Sequence, residues 1–302
     1  MFSTTAGYRV DDEGPSMMFR HLIIGTASVL GLASSAQATL EISTTARGVF
    51  SSVRVVGQPL TSVGPVAPIT GRTSPGYNLA NSAASLAAIV GLGNQGGVTA
   101  TLTLNSGAIA TAASANGTIP ANTTSGSASS DLNNLAISLF TSTGGPTTSI
   151  LNLTADRVQS VTTGTKVGLV TTMTGQSTFN NLLLSINGNN VFNTGSNAQT
   201  AVNFVAYNQS GLKVTLNQQF ASSFDSTRTL ITNAVGISFT NYLLDGRSVS
   251  GTITVGQSLA EFVSLSPGDP VPEPASWAQM LAGFALAGAA ARRRRVLQPI
   301  RA

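Results

Sequence analysis

Hydrophobic and polar residues alternate with period two along several stretches of the chain, the signature of strands with one buried face. In Val98-Thr99-Ala100-Thr101-Leu102-Thr103-Leu104 the apolar side chains take one face and the threonines the other. Leu212, Val214 and Leu216 alternate with Lys213, Thr215 and Asn217. Val235, Ile237 and Phe239 repeat the pattern, as do Val202, Phe204 and Ala206. Turn chemistry falls between the runs. Asn187-Gly188-Asn189-Asn190, Asn208-Gln209-Ser210-Gly211 and Asp245-Gly246 tolerate positive φ and predict hairpins. Many short strands with frequent turns predict an all-β fold over residues 39–268, an antiparallel β-sandwich of jelly-roll-like type. Two segments read differently: residues 78–90, rich in Ala and Leu, predict a short helix, and the low-complexity stretch 112–130 predicts a mobile loop. There is no clear internal period, which favours a sandwich over a β-solenoid.

The ends of the chain follow other rules and predict terminal helical segments. Met17-Met18-Phe19-Arg20-His21 precedes an apolar run over residues 22–33, followed by Ser34-Ser35-Ala36-Gln37-Ala38. A cationic start, a short apolar core and small residues at the A-x-A positions make 17–38 a secretory signal, with cleavage expected after Ala38 and with Ala36 completing the site. Residues 1–16, with Asp11, Asp12 and Glu13, fit such a leader badly and are expected to be an extension upstream of a true start at Met17 or Met18. Residues 269–302 carry Pro272-Glu273-Pro274, Trp277-Ala278, an apolar segment, and then Arg292, Arg293, Arg294 and Arg295. The prolines hold the chain extended, and Pro274 suits the first turn of a following helix. Trp277 suits a membrane interface and the arginines a cytoplasmic flank. A helix over residues 276–291 rises only about 24 Å at 1.5 Å per residue, short of a hydrocarbon core of about 30 Å. The segment therefore reads as one that enters the inner membrane transiently; a plain single-pass anchor is the alternative.

At these residues the chain resembles the PEP-CTERM sorting signal in its PEPxxWA form, and the same segment also resembles the ice-binding protein C-terminal domain. The resemblance covers about 25 residues and leaves the preceding domain without a family. It implies a Gram-negative bacterium, export by the general machinery with removal of the leader by signal peptidase, and cleavage near the PEP motif by an exosortase-type membrane protease. It further implies a cell-surface or extracellular location and an association with exopolysaccharide and biofilm. Residues 296–302, beyond the arginines, extend further than such tails usually do.

Composition narrows the chemistry of the domain. Charged residues are 9% of the chain, against about a quarter in ordinary soluble domains, so solubility rests on hydroxyls and amides. The basic balance is concentrated at the termini. Between Thr39 and Pro270 seven acids (Glu41, Asp131, Asp156, Asp225, Asp245, Glu261, Asp269) meet eight scattered bases, and no clustered basic face exists to bind nucleic acid. There is no cysteine, and the one histidine, His21, lies in the leader. A Ser-His-Asp triad and a thiolate or imidazole metal site are therefore excluded from the domain, and no cofactor is expected. Gly91-Leu92-Gly93-Asn94-Gln95-Gly96 matches G-x-G-x-x-G, yet a strand-like run follows and the next acid is Asp131, so it reads as a turn. Asp156-Arg157, Asp225 with Arg228, and Asp245 with Arg247 read as surface ion pairs and turn residues. Three functional readings follow. The first is a non-catalytic surface or matrix protein serving adhesion or exopolysaccharide association. The second is a secreted carbohydrate-active enzyme using two carboxylates. The third is an ice-binding protein presenting the Thr99, Thr101 and Thr103 hydroxyl row.

Overall fold

The computed structural model describes residues 41–73, 76–95, 97–116, 123–168 and 170–263, together with 281, 284 and 285. Leu281, Phe284 and Ala285 are helical and exposed; otherwise the expected leader and tail helices lie outside the described residues. In chain order the strands are β1 (Glu41–Val55), β2 (Thr61–Val63), β3 (Ile69–Thr73), β4 (Tyr77–Ala83), β5 (Leu86–Gln95) and β6 (Val98–Ser106). There follow β7 (Ile109–Asn116), β8 (Thr123–Ser142), β9 (Thr147–Val167), β10 (Val170–Asn180), β11 (Leu183–Ile186), β12 (Asn189–Asn193) and β13 (Ala198–Gln199). The last are β14 (Phe204–Gln209), β15 (Leu212–Phe224), β16 (Thr227–Leu244) and β17 (Arg247–Val263).

The strands form the expected all-β sandwich of two antiparallel sheets. Sheet A runs β14-β15-β16-β17-β1-β2, with β3 also on β1. Sheet B is built on the long β8–β9 hairpin: one half continues through β6 to β5 and through β11 to β12, the other through β7 to β4 and through β10 to β13. Among the described residues the chain changes sheet twice, after β3 and after β13.

Each long strand is two half-strands with a step between them. Buried positions in β16 run Leu230, Thr232, Ala234 and then Val235, Ile237, Phe239. In β8 they run Ala128, Ser130, Leu132 and then Leu135, Ile137, Leu139. The ladders step together: Arg47↔Gln257 is followed by Val49↔Val255, and Asn133↔Arg157 by Leu135↔Ala155. On one side of the step the interior is a large apolar cluster that includes Leu102, Ile137, Leu139, Leu153, Val214 and Val235. On the other it is made of small and hydroxylated residues, Thr44, Ala113, Ala128, Ser130, Ser160, Thr162, Thr232 and Ser258, ending in a second cluster of Ile42, Ala115, Ala260 and Phe262. Hydrogen bonds cross between the sheets here. Thr162 Oγ1 donates to Thr232 Oγ1 at 2.8 Å and lies 2.8 Å from Ser258 Oγ.

Several expectations are corrected. Residues 78–90 form strands β4 and β5 rather than a helix, because they pair along β7 and β6 and tertiary pairing overrides helix propensity. Residues 112–130 include most of β7 and the start of β8 rather than a loop, with 117–122 outside the described residues. Their Ala, Ser and Gly side chains are what closely approaching sheets require. The hairpin expectations hold: Asn187 and Gly188 (φ 50° and 77°) and Asp245 and Gly246 (φ 51° and 78°) have the two positive φ values of a type I′ turn. Val202 precedes β14 and is exposed rather than part of the alternating strand.

Candidate functional site

The outer face of sheet B is a wide hydroxyl and amide surface, generated by the same alternation that buries the core. Its rows follow from the register. Asn78, Ser114, Ser127, Thr163 and Thr174 stand side by side on β4, β7, β8, β9 and β10. Ser82, Ala110, Asp131, Gln159 and Thr178 form another such row. Beyond the step, Ile89, Thr103, Ser138, Asn152, Ser185 and Asn190 continue the surface on β5, β6, β8, β9, β11 and β12. Thr163 and Thr174 hydroxyls lie 2.7 Å apart, and Ser138 Oγ donates to Asn152 Oδ1 at 3.2 Å. Small side chains on β4 and β7 leave an open depression of about 380 Å³ in this face, lined by Ala80, Ser82, Ala110, Ala112, Ser129, Asp131 and Gln159 among others.

The carboxylate of Asp131 on this face is neutralised by Arg157. Arg157 Nε donates to both carboxylate oxygens of Asp131, at 2.8 and 3.1 Å, and its Nη2 to Oδ2. That hydrogen bond, with the attraction of the carboxylate, raises the Arg157 pKa further above its ordinary value. The partner of Arg157 is thus Asp131 across the β8–β9 ladder and not the adjacent Asp156, which accepts from Asn181 Nδ2 at 2.7 Å. Asp225 and Asp245 take turn positions with positive φ. Glu41 and Glu261 share the outer face of sheet A with Arg72, which donates to Glu41 and has its pKa raised by that bond first and by the charge of Glu41 second. The sheet B depression contains one carboxylate, Asp131. So does a 10 Å³ void at the β16–β17 turn, lined by both Asp245 and Arg247. Among the described residues no group of three His, Cys, Asp or Glu side chains is placed to hold a metal ion.

Residues 91–95 of the glycine-rich motif end β5 before its hairpin with β6, and the register shifts between Gly91 and Asn94. Thr99, Thr101 and Thr103 do lie on the outer face, but opposite them on β8 stand Ser142, Phe140 and Ser138. Thr99 and Thr103 donate their hydroxyls to backbone carbonyls of Ser142 and Ser138, at 3.3 and 3.4 Å. Alternation along the chain is enough to find this row; the rows running across strands depend on register and leave no signal in the sequence.

The fold is therefore an all-β domain poor in charge. Ala36 and Ala38 of the predicted leader site lie outside the described residues, as do Pro272, Glu273, Pro274, Trp277, Ala278 and Arg292 to Arg295. Residues 270–295 match the family model of the PEP-CTERM protein-sorting motif. This motif marks an exported chain, sorted to the cell surface through an exosortase-type membrane protease. No curated protein and no solved structure matches the chain. No helix among the described residues is long and apolar enough to cross a membrane.

Proposed function

We propose that the domain is a non-catalytic matrix protein of the cell surface that adsorbs to neutral exopolysaccharide through the outer face of sheet B. The observation that supports this reading is the set of registered rows, mostly of hydroxyl and amide side chains, which run across five strands and in which the one carboxylate, Asp131, is paired to Arg157. Strand spacing of about 4.8 Å is comparable to one pyranose ring, so successive strands meet successive sugars. Each exchange of a water hydrogen bond for a sugar hydroxyl contributes little. Many along one polymer add up through effective concentration, so long chains are retained and short oligosaccharides are not. In this reading the leader is cut after Ala38, and the tail inserts transiently in the inner membrane and is cut near Pro272 to Pro274.

Co-sedimentation of the recovered protein with the exopolysaccharide of the producing cells tests the binding face. Ser127→Glu with Thr163→Glu is expected to lower the retained fraction at least fivefold, while a glycan hexamer fails to compete. Equal retention of the variant, or no retention of the unaltered protein, overturns the reading. Intact mass tests the processing. Trp277 is the only tryptophan, so a correctly processed surface form loses indole fluorescence, whereas a membrane form that keeps it identifies the tail as an anchor.

A further inference from the structure

One edge of sheet A lacks the features that keep strand edges apart. The ladder of β15 to β14 ends at Phe204↔Leu216. From Gln218 to Phe224, β15 has β16 on one side and no strand on the other among the described residues. Its sequence there, Gln218-Gln219-Phe220-Ala221-Ser222-Ser223-Phe224, contains no charge and no proline, and it meets β16 without a register shift. Charges, prolines, bulges and shortness are the usual protection of an edge. Several other edges carry them: register shifts interrupt the β5, β12 and β14 ladders, and β2 and β3 are three and five residues long.

The hydrogen-bonding phase of this edge is set by its neighbours. Gln219 N–H donates to Asn203 Oδ1 at 2.7 Å, and the Asn217 carbonyl accepts from Asn203 N–H at 2.9 Å. Odd-numbered residues thus turn their backbone groups away from β16, and by strand alternation Ala221 and Ser223 present N–H and C=O outward. Gln219 Nε2 reaches inward to the Gly175 carbonyl at 2.7 Å, which leaves Gln218, Phe220, Ser222 and Phe224 on the outer face. Phe220 is 51% and Phe224 76% exposed.

We infer that this edge pairs with the same edge of a second copy of the chain. A two-fold axis normal to the sheet at Ser222 places Ala221 of each copy opposite Ser223 of the other, as hydrogen-bonded pairs. Ser222 then meets its own copy, and Phe220 faces Phe224 twice, in the closer pairs that do not exchange hydrogen bonds. The interface is isologous, so it closes at two copies. Centring the axis on Ala221 instead would set Phe220 against Ser222 and require the Gln219 N–H that Asn203 already holds. On the same flank β10 has no partner strand beside Val170 to Ser177 among the described residues. It too is uncharged, so the second sheet offers no repulsion.

The chain has no cysteine, which makes the register directly measurable. Opposed residues of a non-hydrogen-bonded pair have Cα atoms about 4.5 Å apart, within disulfide reach. In protein recovered from cells expressing the whole chain, Ser222→Cys is expected to form a reducible dimer under mild oxidant, at least tenfold faster than Ser127→Cys on the outer face of sheet B. Sedimentation should show a concentration-dependent doubling of mass. Ala221→Lys and Ala221→Pro should abolish it with far-ultraviolet circular dichroism unchanged; if the proline variant does not fold, the lysine variant decides. A mass that stays single at every concentration, equal cross-linking at 222 and 127, or a dimer that survives Ala221→Lys overturns the inference.

Discussion

Phe262 shows how single residues set the spacing of the two sheets. Its ring is fully buried and lies on the bare backbones of Gly126 and Gly164, a cross-strand pair of β8 and β9. A Cβ on Gly126 would stand 2.8 Å from Ile42 Cγ2, and one on Gly164 would enter the Phe262 ring. Gly164→Ala is therefore expected to destabilise the domain by about 1–3 kcal/mol through overpacking, read as a lower urea midpoint. The buried hydroxyls divide into two kinds. Thr162 bonds across the sandwich to Thr232 and Ser258, so Thr162→Val should cost about 1–3 kcal/mol by stranding them. Ser160 is equally buried but its hydroxyl has no partner, so Ser160→Ala should leave the urea midpoint unchanged or raise it. A loss as large as that of Thr162→Val would contradict this distinction. Tyr77 supplies a pH dependence. Burial raises its phenol above the ordinary value, against a smaller opposing effect of the Thr44 hydroxyl 2.9 Å away. The folded state holds this proton to higher pH than the unfolded chain. Its contribution is thus complete below pH about 10 and declines as pH rises through the folded value. Between pH 8 and 11 the urea midpoint should fall, and Tyr77→Phe should remove part of the slope. Tyr242, raised by burial and then by Tyr207, supplies more of it.

At the scale of elements, the step within the long strands explains what alternation alone misses. A period-two pattern that changes phase at Gly48, Asn134 or Ala234 reads as two short strands or as none. The runs legible in the sequence, 98–104, 212–216 and 235–239, lie on the side of the step with large aliphatic side chains. Segments 112–130 and 78–90 escape it for two reasons. The buried face of the first uses Ala, Gly and hydroxyls, which register weakly on a hydrophobic scale, and the Ala and Leu of the second suggest a helix. Turns are legible because positive φ selects residue types locally. Gly246→Val, which places a β-branched residue at φ 78°, should cost about 1–3 kcal/mol and loosen the β16–β17 hairpin, seen as faster amide exchange at Leu244 and Arg247.

For the whole molecule, the closing contact joins the two ends of the domain. β1 pairs with β17 from Glu41↔Val263 to Val55↔Val249, so sheet A cannot be completed until the last strand has been exported. A chain stopped after Leu244 is expected to remain protease-sensitive, because β1, β2 and β3 lose their link to the rest of sheet A. Refolding of the complete domain should take on the order of milliseconds to seconds or longer, the range of folds dominated by distant pairings. Microsecond refolding, or a protease-resistant product from the shortened chain, would show that the β1–β17 closure is dispensable.

The sequence alone determined the features that depend on local chemistry. These are the ordered sorting motif of the tail, the β class from alternation, the hairpin turns from residues that accept positive φ, and the absence of histidine and cysteine from residues 39–268. Tertiary structure decided what depends on which strand lies beside which. Register aligned scattered Ser, Thr, Asn and Gln residues into rows across sheet B, chose Asp131 over Asp156 as the partner of Arg157, and left half of β15 without a neighbouring strand. None of these can be read along the chain, because strand pairing joins residues that are distant in sequence and each register assigns them different neighbours.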